Sequence, residues 1–457
     1  MAVRETTTTR HTAIGLSPRL LIGVGLIVIA AYVSLLIRLM ETSTYDTWGA
    51  LIVGPVLIAV TYPALARQAR REGDPRVLWI LMAALFLKLL FAVLRHYQAT
   101  ELYEFADATG YHRGGTELAG RFLLGNFDTG VPKEFPSETL FMYIVTGVVY
   151  AVIRPTLLGG FVAFSWLSFL GLFLFYRAFH LAVPGGRPRT YAKLLFFLPS
   201  ILFWPSSIGK EAWTVFTLGI AAYGAARLFA GRGSGRGIAL FVLGLAGTAA
   251  VRPHIAGLFA VAAAIGYLVG KPPIEARRLV PVAKLLAVAI SVALAVVLVS
   301  QTERFFRDSG LGGRSLTSAA GIGSVLEETG RRTATGGSQF TTIPVASPRG
   351  LATAAVTVLF RPFPPEADNV PTMLAAIEGV FLLILVIVRL PWVFSALRHA
   401  RDAPYVAAAF VYCGASVIAL SSIANFGILT RQRVLLLPML FVLLSVPRVL
   451  APSARAG

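Results

Sequence analysis

The chain is cut into roughly a dozen long apolar runs by short basic turns and two long polar loops. A helix of roughly 20 apolar residues is what about 30 Å of hydrocarbon requires. Hydrophobic residues make up 56% of the 457, charged residues only 14%, and the mean hydropathy is +0.73. A water-soluble chain of this size has no use for so much apolar surface, and a bilayer does. The runs predict helices near 19–39, 48–66, 77–96, 157–180, 190–205, 212–230, 237–251, 254–270, 279–300, 372–396, 404–424 and 432–450. Two further apolar pieces, 139–153 and 351–361, are short for a crossing. The expected fold is all-α, a polytopic transmembrane helix bundle of about 12 spans in one integral membrane domain, 1–457, with short re-entrant or surface-lying pieces.

The net charge of +19 would suggest nucleic acid in a soluble protein. Here the arginines cluster in turns between apolar runs, such as Arg67, Arg70, Arg71 and Arg76, or Arg227, Arg232 and Arg236. Such clusters mark cytoplasmic turns and meet membrane lipids of negative charge, so no nucleic-acid partner is expected. Cys413 is alone and lies within an apolar run, which excludes a disulfide framework, and the six His show no close pairing for zinc. The first apolar run, from Leu20 to Ile37, is too long for a signal-peptide core and reads as a retained helix. Abundant Ala, Gly and Arg beside few Lys matches a GC-rich bacterial genome, so a bacterial plasma membrane is the expected location.

The Lys/Arg bias puts both termini in the cytoplasm and two long loops, 97–138 and 301–371, outside. Between 138 and 187 the assignments from the two ends collide, because Arg187 and Arg189 belong inside. The shorter run, 139–153, is therefore expected not to cross. Within the helices, Lys88 and Glu378 are the misplaced charges, each costing on the order of 2.5–3.5 kcal/mol near the midplane unless paired or snorkelling. They are expected to pair with one another, or Lys88 to snorkel. So few intramembrane charges weaken a transporter or flippase reading.

Five polar motifs fall on the outer side. Asp107-Ala-Thr-Gly-Tyr111-His112 places a carboxylate close to the third helix end, either as a base or cation ligand, or as a solvated loop residue. In the stretch from Leu198 to Trp213, prolines break one helix, Ser206 and Ser207 can cap the next, and Lys210-Glu211 opens it. That makes either a phosphate seat or a well-capped helical hairpin. Arg252-Pro253-His254 breaks an apolar block where an arginine is costly without a partner. Arg361, with Glu366, Asp368 and Asn369, ends the second loop. Arg431 and Arg433 open the last helix against the charge bias, which calls for a carboxylate or a bound phosphate opposite them. The segment 301–350, rich in Gly, Ser and Thr, reads as a mobile lid or a plain flexible loop.

With these residues in view, the chain resembles the membrane glycosyltransferases of the C-type fold, which use polyprenyl-phosphate sugars. Asp107-Ala-Thr-Gly-Tyr111-His112 fits the Asp-Ala-x-x-Tyr-His pattern of that family's first extracytoplasmic loop, and Glu211 stands where a second acidic residue is expected. Arg431 or Arg433 corresponds to a pocket arginine near a late helix. The likeness covers about 77–230, and beyond it only the general layout. It implies transfer of a sugar from a polyprenyl-phosphate donor to a lipid-linked or cell-surface glycan acceptor. Asp107 would then take the acceptor proton, and Arg431, Arg433, Lys210 or Arg252 would hold the departing phosphate. No acidic pair sits in the first loop as in many relatives, so a divalent metal is an open cofactor. An envelope polysaccharide polymerase or ligase is the nearest alternative, since it too combines many helices, a long outer loop and prominent arginines.

Overall fold

The computed structural model describes residues 18–102, 107–130, 135–231, 234–270, 327–334, 338–341, 345, 347–367, 369–398 and 401–447. The expected helix at 279–300 and most of the second loop's glycine-rich part lie outside them. Among the described residues every regular element is a helix, and two of the stretches between them meet in an isolated β-bridge, Gln339 with Asn425.

Six helices are long and apolar enough to cross a membrane. They are α1 (Pro18–Thr42), α2 (Tyr45–Glu72), α3 (Pro75–Tyr97), α6 (Leu157–Ala182), α9 (Lys210–Phe229) and α13 (Val370–Arg398). Shorter helices fill the bundle: α4 (Asp107–Leu123), α5 (Ser137–Ile153), α7 (Pro188–Phe197), α8 (Pro199–Phe203), α10 (Ser234–Ala249) and α11 (Pro253–Val269). Then come α12 (Pro348–Phe360), α14 (Pro404–Leu420), α15 (Phe426–Arg433) and α16 (Leu437–Leu444). Two expected spans are broken. The run 190–205 divides into α7 and α8, because Pro199 removes an amide and pushes Leu198 into extended backbone. The run 432–450 becomes α15 and α16, bent by 60°, and counts as a seventh span only if both halves form one crossing.

At the centre is α6, buried along most of its length, with Phe161, Phe164, Phe169, Phe175 and Phe179 in the core. Its crossing with α9 rests on glycine. A Cβ on Gly219 would lie 2.2 Å from the Gly171 carbonyl oxygen, so only hydrogen lets the backbones approach. At the other extreme, α1 leaves Leu26, Ile27, Val28 and Ile29 uncovered. Such a face suits hydrocarbon and no protein neighbour.

Chain direction defines two ends. One gathers the start of α2, the end of α3 and the start of α6: Tyr45 donates to the Ile153 carbonyl (2.5 Å), and His96 meets Phe161 edge-on. The other gathers the end of α2, the start of α3 and the end of α6. There Tyr176 donates to Glu72 (2.7 Å), and Arg189 reaches Asp74 (2.6 Å).

Candidate functional site

The chain climbs back to the first end through α7 and α8, and the two misplaced charges decide how. Lys88 donates to the carbonyls of Ile201 (2.7 Å) and Leu202 (3.3 Å). Glu378 accepts the Ser200 N–H at 2.7 Å. The expected Lys88–Glu378 pair is thus corrected: each grips one end of α8, the cation at exposed carbonyls and the anion at an exposed amide. Helix termini have such groups to spare, and a proline-interrupted turn leaves them to side chains. Ser168 adds a hydrogen bond to the Pro205 carbonyl (2.7 Å), and Ser206 donates to Leu202 (2.5 Å). The turn 204–209 is therefore held rigidly before α9 begins.

That turn forms one wall of a cavity of about 370 Å³ at the first end of the bundle. The opposite walls come from Arg95, Gln98 and Ala99 around the end of α3, from Asp107, Ala108 and Tyr111 on α4, and from Asn425, Gly427, Ile428 and Arg431 around α15. Asn425 caps α15 by accepting the Ile428 N–H (3.1 Å), which aims Arg431 inward.

A chain of charge runs across the cavity floor. Arg252 donates to Gln432 and to Glu211, whose side chain is 9% exposed. Arg431 places Nε 3.0 Å from the same Glu211 Oε1 and Nη1 3.6 Å from Asp107 Oδ2. Asp107 itself is 70% exposed and opens α4. Lys210 stands on the rim, with Glu138 at 4.0 Å. Glu211 is thus a buried anion enclosed by two guanidiniums, while Asp107 is an accessible carboxylate held loosely by one of them. Burial, reinforced by the charges of Asp107 and Glu211, pushes the Tyr111 phenol above its ordinary value, so the hydroxyl stays a donor.

Of the residues singled out from sequence, Asp107, Tyr111, Lys210, Glu211 and Arg431 line one cavity, and Arg252 supports its floor. Four do not line it. His112 turns to α5, its Nδ1 2.7 Å from the Tyr150 hydroxyl; burial first, and Arg113 next, lower its basicity against the opposing pull of Asp46. His254 is exposed at the start of α11. Arg361 stacks on Phe340 (4.7 Å) and Phe426 (5.2 Å) and is held by Glu366. Arg433 is fully buried and donates to the carbonyls of Leu359 and Arg361, both at 3.0 Å. Arg361 and Arg433 instead fasten the second loop beside α15, where Phe340 donates to Ala424 (2.9 Å) and Phe426 to Ser338 (3.0 Å).

Sequence reading missed Arg95 and Gln98. Arg95 lies over Phe203 (4.7 Å) and Trp204 (5.3 Å), so it joins the α3 end to the cavity turn. In the sequence it looks like any basic residue closing a helix.

Among the described residues no three His, Cys, Asp or Glu converge as a metal cradle, and the cation between the two cavity carboxylates is the Arg431 guanidinium. No family model matches the chain, and no curated protein and no solved structure is significantly similar to it.

Proposed function

We propose that this chain is a membrane glycosyltransferase that moves a sugar from a polyprenyl-phosphate donor to a lipid-linked or surface glycan acceptor. The supporting observation is the pairing of an exposed carboxylate, Asp107, with Arg431 and Lys210 around one cavity. In this reading Asp107 takes the proton of the acceptor hydroxyl, whose oxygen attacks the anomeric carbon. The bond from that carbon to the phosphate oxygen breaks, and the lipid phosphate leaves with the electron pair. Arg431 and Lys210 stabilise the charge that grows on it. Glu211 and Arg252 act as positioning residues: they hold the Arg431 guanidinium at the cavity floor. Tyr111 offers its hydroxyl to the sugar. The cavity then faces the outer surface of a bacterial plasma membrane, with both termini inside and the shorter helices completing about twelve crossings.

The test is to compare lipid-linked sugars by mass spectrometry in cells lacking the protein and in cells carrying Asp107→Asn. Donor lipid accumulating in both supports the proposal. Normal donor and product levels with Asp107→Asn would point instead to a polymerase or ligase that relies on Arg95, Lys210 and Arg431.

A further inference from the structure

Among the described residues, the far end of the bundle holds two guanidiniums with no acidic partner. Arg389 and Arg187 lie 4.0 and 5.2 Å from the ring centre of the same indole, Trp392. Among the described residues neither forms an ion pair with a carboxylate. The Arg389 Nη1 is buried and lacks a hydrogen-bond partner. The nearby acid, Asp74, is engaged by Arg189 at 2.6 Å. The Arg187 amide donates to the Ser445 carbonyl (2.9 Å), which fixes the backbone just before α7. Two like charges brought to one aromatic ring repel each other, and a shared anion removes that cost.

The helix that carries Arg389 says which kind of anion. Phe381, Ile384 and Val388 are exposed along α13 at i, i+3 and i+7, and Trp392 continues the row at i+11. No described element covers this row, and it ends at the guanidiniums. An apolar stripe leading to a paired cationic site fits an amphiphile, with chains along the stripe and phosphate at its end.

We propose that Arg187, Arg389 and Trp392 form a binding site for an anionic phospholipid, at the membrane face opposite the cavity. The site is independent of the catalytic reading. Each guanidinium near a lipid surface contributes a roughly fivefold preference, about 1 kcal/mol at 1.4 kcal/mol per tenfold.

Native mass spectrometry of the purified full chain, with phosphatidylglycerol as probe and phosphatidylcholine as comparison, decides the matter. Wild type is expected to keep one phosphatidylglycerol through delipidation. Arg187→Glu, at an exposed position that tolerates change, should lose it at least about fivefold, and Arg187→Ala/Arg389→Ala roughly 25-fold. Phosphatidylcholine retention should be equal in all three. Equal phosphatidylglycerol retention in wild type and Arg187→Glu overturns the proposal, whether or not the double variant folds. So does displacement of the bound lipid by millimolar inorganic phosphate, which would make the site one for free phosphate.

Discussion

At the cavity end five arginines meet carboxylates: Arg252 and Arg431 share Glu211, Arg361 holds Glu366 while also lying on Phe340 and Phe426, and Arg331 and Arg332 share Glu328. At the far end Arg189 pairs with Asp74, and three other arginines lie on rings. Arg177 stacks on Tyr223 at 4.6 Å and hydrogen-bonds its hydroxyl at 2.9 Å, and Arg187 and Arg389 share Trp392. The contrast is physical. A guanidinium neutralised by a buried carboxylate is locked in place and ready to meet a substrate, because its position does not depend on what is bound. A guanidinium on an aromatic face keeps its charge available to the surroundings. One end is built to hold a geometry, and the other to meet a charged surface.

The strongest challenge to this contrast is Asp107→Asn. On the proposed mechanism, losing this base should lower glycosyl transfer about 10²- to 10⁴-fold, measured with purified protein and lipid-linked donor. Thermal stability should be unchanged, since the side chain is 70% exposed. Next comes Arg252→Ala, which strips one of the two guanidiniums from a buried anion. A loss of about 3–5 kcal/mol is expected in denaturant unfolding, partly restored by adding Glu211→Gln, which removes the stranded charge. A similar loss without restoration would mean that Arg252 acts by packing alone. Tyr223→Phe at the far end should cost only about 1.5–3 kcal/mol, the worth of one hydrogen bond to a charged group. A cost as large as that of Arg252→Ala would erase the distinction between the two ends.

The smallest effect is on pH. Arg331 and Arg332 hydrogen-bond Glu328 and hold its carboxyl at about 2, below its ordinary 4.5. A lowered carboxylate stabilises the fold above the unfolded value, and this contribution is lost as pH falls from 4.5 through 2. Amide protection across 327–333, taken relative to the intrinsic exchange rate at each pH, should fall over that window. Asp74, lowered chiefly by its hydrogen bond from Arg189, should release the α2–α3 turn in the same direction below 3.8. Protection, taken relative to the intrinsic exchange rate at each pH, that stays flat from neutral pH to 2 at both places would contradict these pairings.

Much of the architecture was readable along the chain. The apolar runs at 77–96, 157–180, 212–230 and 372–396 return as α3, α6, α9 and α13 within about two residues. Apolar length is a local property, and each helix satisfies its own backbone, so no partner need be known. The convergence of Asp107, Lys210, Glu211 and Arg431 was also signalled, since polar groups beside apolar runs are costly and rarely idle.

Pairing was a different matter. Lys88 and Glu378 were expected to pair with one another, or Lys88 to snorkel, and they grip the two ends of α8 instead. Arg431 and Arg433 look alike in sequence, yet one faces the cavity and the other is buried on carbonyls of Leu359 and Arg361. Residues two apart on a helix point to different sides, and which side meets the cavity depends on how α15 packs. The sequence by itself determined that the chain is a bundle of apolar helices with its unusual polar groups gathered in a few motifs. Tertiary structure alone decided which of those groups meet, because a charge chooses its partner through space, across elements more than a hundred residues apart.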